Sequence, residues 1–277
     1  MVIIMVTKFL FRAWFSTWLT VGIIVNWTSC VAVYRIGGGT LKTKQTRCAV
    51  ISHYVFKWLI IKMCPWIRIS TPPMDDMMRL MDQDKVLLLL NHTSFFDTIL
   101  FVGTIPARAI GRYRALMKHR LLDVPLFGDL LRMVGHFPVY FRSSEQHVFT
   151  VEKEKQEKVM EKVQAHVATN GGLCIFPEAR LNRTPETLDS FRKGIFSLAE
   201  EQQMAVATLS TVGNNISWPI DDVVGGLPSK ITMKISEIFE AGHGMSAETI
   251  REKAHETMQA DVTYLFAERG ASKPKQT

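Results

Sequence analysis

Two short, wholly apolar runs, each cut off abruptly by polar and turn-forming residues, frame this chain. Lys85–Leu90 reads Lys-Val-Leu-Leu-Leu-Leu and passes straight into Asn91-His92-Thr93-Ser94, and Leu173–Phe176 passes into Pro177-Glu178-Ala179-Arg180. Apolar runs this short, without alternation, read as strands buried on both faces, the kind found in parallel sheets covered by helices. Phe137–Phe141, Met204–Ser210 and Lys230–Ser236 are further strand candidates, while Val151–Ala168 and Ala247–Val262 place apolar positions at helical spacing among charges. Strands alternating with amphipathic helices predict an α/β fold with layered architecture. Gly225-Gly226-Leu227-Pro228 marks a turn ahead of a strand, and no internal repeat or low-complexity segment interrupts the pattern.

The amino-terminal pattern is different. Ala13 to Tyr34 carries no formal charge; as a helix it rises ~33 Å, enough for a hydrocarbon core of about 30 Å. Asn26 and several Ser and Thr dilute it, Lys8 and Arg12 flank it, and Trp14, Trp18 and Trp27 suit a membrane interface. A cleaved signal peptide fits less well, because Asn26-Trp27-Thr28 stands where small residues would be needed. Lys42, Lys44 and Arg47 follow and favour a cytosolic location for the rest of the chain. Cys48 to Ile69 is apolar but interrupted by His53, Lys57, Lys62 and Pro65, which reads as an interfacial or re-entrant segment or as a helix packed on the domain. The expected organisation is an N-terminal membrane-associated helical segment, 1–69, followed by a second domain, 70–277.

The candidate chemistry lies at the ends of the apolar strands, where α/β sheets bind ligands. Ser94 can cap a following helix, with Asp97 at its third position, and Asp97 can fold back onto one ring nitrogen of His92. The other nitrogen is then left to take a proton from an alcohol. A plain helix cap with an ordinary loop histidine is the simpler reading of the same residues. Against it stands the second polar cluster around Glu178, after a second strand whose end can converge on the first.

The spacing Asn91-His92-x-x-x-x-Asp97 together with Phe176-Pro177-Glu178-Ala179-Arg180 resembles the glycerophospholipid acyltransferases, especially the 1-acyl-sn-glycerol-3-phosphate acyltransferases. Lys118, Pro125-Leu126-Phe127-Gly128 and Gly135-His136-Phe137-Pro138-Val139-Tyr140-Phe141-Arg142 are similar to the family's block ending in a substrate-binding arginine. Phe191-Arg192-Lys193-Gly194-Ile195-Phe196 is similar to its Phe-Lys-x-Gly-x-Phe helix start. One block departs from the pattern: Ala179 stands where the family has glycine, Arg180 where it has threonine, and Leu181 where it has arginine. Arg183, Arg192 or Lys193 can supply the displaced charge.

The resemblance implies a glycerolipid acyltransferase-like domain that moves an acyl group from acyl-CoA, as co-substrate, to a lysophospholipid hydroxyl. It implies His92 as general base and Asp97 as its orienting partner. Asn91, Lys118, Arg142, Glu178 and Arg180 become substrate-binding candidates, with the cations on the acceptor's phosphate and Glu178 orienting an arginine or bonding the glycerol hydroxyl. An amino-terminal helical pair would hold the site at one leaflet, and membrane lipids would be partners. No metal or other cofactor is expected, since the remaining histidines share no ligand spacing with cysteines or carboxylates. Cys30, Cys48, Cys64 and Cys174 stand singly, as reduced thiols do. The net charge of +7 is expected to serve an anionic membrane and not nucleic acid, because basic residues flank apolar segments and no base-reading motif is present. Lys273 and Lys275 resemble an endoplasmic-reticulum retrieval signal, and a frayed basic tail reads equally well.

Overall fold

The computed structural model describes residues 2–140 and 153–271. It opens with a long helix, α1 (Val2–Ile36), a Gly-rich turn, and α2 (Leu41–Val55), which Thr40 caps by accepting the Thr43 N–H at 3.2 Å. The chain continues through a π-helical turn, Phe56–Ile61, into β1 (Ile67–Ser70) and α3 (Met74–Met81). Then come β2 (Val86–Leu90), α4 (Phe96–Thr104), α5 (Ala107–Ile110), β3 (Tyr113–Lys118), α6 (Phe127–Val134) and β4 (Phe137–Val139). The last stretch holds α7 (Lys153–Ala168), β5 (Gly172–Ile175), α8 (Gly194–Glu201), β6 (Ala205–Val212), α9 (Asn214–Ser217), β7 (Ser229–Phe239) and α10 (Ala247–Ala271).

The seven strands form one mixed sheet in the order β1-β7-β6-β2-β5-β3-β4, parallel throughout except where β7 runs antiparallel to β6. Every residue of β2 and β6 is buried, as central parallel strands require. The period-two alternation of side chains splits β2 between two cores. Val86, Leu88 and Leu90 pack with Phe56, Phe96 and Leu100 toward α2 and α4. Leu87 and Leu89 pack with Val163, Phe196 and Met258 toward α7, α8 and α10. The expected layered α/β fold is therefore present as helix, sheet and helix layers.

Two strands were not legible in the sequence. Ile67–Ser70 begins inside the stretch expected to be interfacial, yet pairs in register with Ser229–Thr232 at the sheet edge, so the boundary expected at 69/70 runs through β1. Tyr113–Lys118 was also missed. Its Tyr-Arg-Ala-Leu-Met-Lys sequence has a buried arginine at its second position, which breaks the apolar pattern by which strands are read.

The helix α1 is long and apolar enough to cross a membrane, but it packs one face on the rest of the chain. Its buried positions, Phe15, Asn26 and Cys30, recur at helical spacing. Asn26 is the polar exception, and its amide exchanges hydrogen bonds with the Ser52 hydroxyl of α2 at 3.0 and 3.1 Å. Val21, Ile24 and Val25 point away and are exposed, whereas the exposed Trp14 donates its indole N–H to the Met63 carbonyl at 2.7 Å.

Candidate active site

Three adjacent parallel strands, β6, β2 and β5, end at the same edge of the sheet, and each delivers a polar cluster there. β2 delivers Asn91 and His92, β5 delivers Phe176 to Glu178, and β6 delivers Gly213 and Asn214. The neighbouring β3 ends there with Lys118.

The His92 Nδ1 lies 2.9 Å from the Asp97 Oδ2. A carboxylate only accepts, so Nδ1 carries the proton and Nε2 bears the lone pair. Asp97 is buried in the first turn of α4, and its Oδ2 also accepts the Thr93 and Ser94 N–H groups at 2.9 and 3.0 Å. The Ser94 hydroxyl accepts the Phe96 N–H at 3.1 Å, and its carbonyl accepts the Asp97 N–H at 3.2 Å. Helix cap and histidine partner are thus one arrangement: capping the helix fixes the carboxylate that orients the imidazole. The His92 ring stacks on Phe176 at 3.9 Å and 18°, and its Nε2 has no protein partner among the described residues.

Glu178 differs from both roles expected of it. It is buried, and it binds protein groups: Oε1 accepts the His92 N–H at 3.0 Å, and Oε2 accepts the Asn182 amide at 2.7 Å and the Asp189 N–H at 2.9 Å. Burial pushes its carboxyl above the ordinary carboxylate range, against the pull of those three donors. The Asn182 N–H completes the grip by donating to the His92 carbonyl at 2.7 Å. Asn91 is corrected likewise. It is buried and tied to Thr211 of β6, donating to its carbonyl at 2.9 Å and accepting its N–H at 2.8 Å, so these bonds join two strand ends.

A cavity of 1280 Å³ opens on His92, larger than the roughly 300–1,000 Å³ of ordinary small-molecule pockets. Its walls are mostly apolar and come from both α1–α2 and the α/β layers, among them Leu19, Ile23, Phe56, Leu130, Met160 and Phe176. Lys118, Arg180 and Arg192 also line it. Lys118 makes no ion pair among the described residues, whereas the exposed Arg180 is forked on Asp189 at 2.7 and 2.8 Å. Of the basic residues able to replace the displaced arginine, Arg192 lines the cavity, while Arg183 pairs with Asp221 and Lys193 with Glu248. Arg142 lies outside the described residues.

Sequence reasoning missed Asn214. It is fully buried, and its amide donates to the Asp97 Oδ1 and, at 2.9 Å, to the Thr93 hydroxyl. The signal was available: Gly213-Asn214 follows an apolar strand just as Asn91-His92 does, at the same sheet edge. Phe176 was read as part of a motif, without its role as the surface on which the imidazole stacks.

No curated protein sequence matches the chain. Among solved structures it is similar to the 1-acyl-sn-glycerophosphate (LPA) acyltransferase PlsC from Thermotoga maritima, with a TM-score of 0.69 over 95% of this chain and 97% of that one. The sequence identity is 16%, so this likeness is one of fold. The sequence profile of the acyltransferase family matches residues 74–212, half of the chain and the stretch that carries His92, Asp97, Glu178 and Asn182, and the chain therefore belongs to the acyltransferase family.

Proposed function

We propose that the protein transfers an acyl group from acyl-CoA to the sn-2 hydroxyl of 1-acylglycerol 3-phosphate, forming phosphatidic acid. The observation that carries this reading is His92, held by Asp97 at 2.9 Å, stacked on Phe176, and lining a long apolar cavity rimmed by exposed cations. The cavity suits acyl chains, and Lys118 and Arg180 suit a phosphate dianion, Arg180 by sharing its fork with Asp189.

In this reading the His92 Nε2 accepts the hydroxyl proton as the alcohol oxygen attacks the thioester carbonyl. Asp97 stabilises the resulting imidazolium. The tetrahedral adduct collapses with cleavage of the C–S bond, and the proton on Nε2 passes to the departing thiolate, giving the ester and free CoA. No covalent acyl-enzyme is required. General-base assistance of this kind is worth roughly 100- to 10,000-fold, and placement of both substrates in one cavity supplies the rest. The protein would work at a membrane, with the domain facing the cytosol and the endoplasmic reticulum as its site.

The fork of Arg180 on Asp189 favours a second reading, in which the acceptor is a lysophospholipid with a different headgroup. Thiol release from oleoyl-CoA, measured with lysophosphatidic acid, glycerol 3-phosphate and zwitterionic lysolipids, separates the two. Release selective for lysophosphatidic acid and lost in His92→Ala is the expected result. Release with another acceptor changes the substrate and keeps the mechanism. A folded protein without any His92-dependent release would instead be a CoA-independent transacylase or a lipid-binding protein.

A further inference from the structure

Toward the amino edge of the sheet, away from His92, a second cavity of 240 Å³ is lined by Lys42, Thr46, Asp84, Arg112, Arg114 and His166, among others. Arg114 is the anomaly. It is 3% exposed, and its guanidinium donates only through Nη1, to the Gly111 and Tyr113 carbonyls at 3.0 and 2.8 Å. Among the described residues no carboxylate pairs with it, and its Nε and Nη2 have no protein partner. Buried charges are normally paired, because one without a counter-charge has lost its hydration uncompensated.

The nearby groups do not cancel this charge. Arg112 is spent on the carbonyls of Asp82, Gln83 and Asn170 and lies 3.8 Å from Asp84, whose own side chain is largely exposed. Lys42 adds a second cation from α2, anchored on the Thr169 hydroxyl at 3.2 Å. Burial pulls Arg114 down to about 10, so it stays charged at neutral pH, and burial and Arg114 together hold His166 below its ordinary value. What is missing is an anion.

We propose that this cavity binds a phosphate-class anion, either free phosphate or a phosphomonoester headgroup, between Arg114 of β3 and Lys42 of α2. The space is too small for an acyl chain and suits a tetrahedral dianion with a few waters of about 30 Å³ each. Forked donation from Arg and a point charge from Lys are the usual phosphate partners. The bound anion would tie α2 to the strand whose far end carries Lys118 into the main cavity. This site is independent of the acyl-transfer reading, since it contains none of the residues assigned to that reaction.

The test is thermal unfolding of the detergent-solubilised full chain with inorganic phosphate against chloride at matched ionic strength. Phosphate should raise the midpoint of the wild type saturably. In Lys42→Ala, an exposed position, half-saturation should move to about tenfold higher phosphate, the loss of one charge-assisted hydrogen bond; in Arg114→Met the effect should vanish. Lys118→Ala should keep it, which separates this site from any phosphate held beside His92. An effect no larger than that of chloride, or one unchanged in Lys42→Ala, overturns the proposal even where Arg114→Met fails to fold. Vesicles of phosphatidylcholine with and without phosphatidic acid distinguish the sources: a Lys42-dependent shift with the acidic vesicles assigns a headgroup, and its confinement to inorganic phosphate assigns a soluble ion.

Discussion

Glu178 holds His92 by its backbone and not through its ring: the Glu178 Oε1 accepts the His92 N–H at 3.0 Å. A residue read as part of a substrate pocket is a brace for the proposed general base. Glu178→Ala leaves the His92 N–H, the Asn182 amide and the Asp189 N–H without their acceptor, at about 1–3 kcal/mol for each buried donor that finds no water. Displacement of the His92 loop should lower kcat by up to about 100-fold. The acceptor KM should stay near wild type, because Glu178 does not line the cavity. Steady-state kinetics separates the two, and a KM effect alone would return Glu178 to the substrate.

Asp97 and Asn214 form the next shell of the same device. Asp97→Asn places an amide where Nδ1–H needs an acceptor, which favours the wrong tautomer, and kcat should fall by about 10⁴-fold. Asn214→Ala removes a donor to Asp97 and should lower kcat about tenfold, the loss of one buried hydrogen bond. The informative variant is Asn214→Asp. It matches the native shape but sets a second carboxylate against Asp97, so it should be less active than Asn214→Ala. Were Asn214 only filling space, that order would reverse.

Ala179 sits at φ 58°, in the left-handed region where a Cβ costs roughly 1–2 kcal/mol. Ala179→Gly relieves that strain and gives back roughly 0.4–1 kcal/mol through the looser unfolded chain. The net expectation is stabilisation by about 0.5–1 kcal/mol, read as a higher midpoint in urea. A lower midpoint would show that the surrounding loop, not the Cβ, sets this conformation.

What the sequence revealed and what it hid have distinct physical causes. β2, β5 and β6 were legible because central parallel strands are apolar on both faces, and His92 with Asp97 was legible because cap and proposed catalytic pair share one local spacing. Asn91, Glu178 and Arg180 resisted because their partners, Thr211, Asn182 and Asp189, are set by strand order and loop path. Residue type shows that a carboxylate can bind an arginine; only the fold shows that this one binds backbone N–H groups. β1 stayed hidden for the opposite reason, since an edge strand of four residues carries too little pattern to stand out from the apolar stretch before it.

His136 gives stability a pH dependence. Its ring accepts the Ala115 N–H at 3.0 Å, and its remaining exposure faces the main cavity. Burial, with Arg114 nearby, pushes it down to about 3. The unfolded chain takes up this proton near pH 6.5 while the folded chain does not, so stability falls as pH drops from about 6.5 toward 3, by at most ~1.4 kcal/mol per unit. His136→Gln can still accept the Ala115 N–H and does not titrate. It should flatten the acid limb of unfolding midpoints by one proton's slope, and an unchanged limb would assign the acid sensitivity to other groups.

The contacts of α1 set how the protein meets a membrane. Phe11 meets Trp66 at 4.8 Å, Phe15 meets Trp218 at 5.5 Å, Trp27 donates to Asp129 at 3.2 Å, and the Tyr34 hydroxyl donates to the Met133 carbonyl at 2.8 Å. From Phe11 to Tyr34 the helix rises about 35 Å, more than a hydrocarbon core of about 30 Å. Standing upright in the bilayer, it would carry the exposed charges of Asp129 and Arg132 on α6 into lipid, at several kcal/mol each. Lying in the interface with its packed face on the domain and Val21, Ile24 and Val25 toward the acyl chains, it meets no such cost. Single cysteines at the exposed positions Lys8 and Ile36, in a background lacking the four native cysteines, should both react with an impermeant maleimide from the side on which Arg183→Cys reacts. Labelling of the two ends from opposite sides would establish a spanning helix and require α1 to leave its seat on the domain.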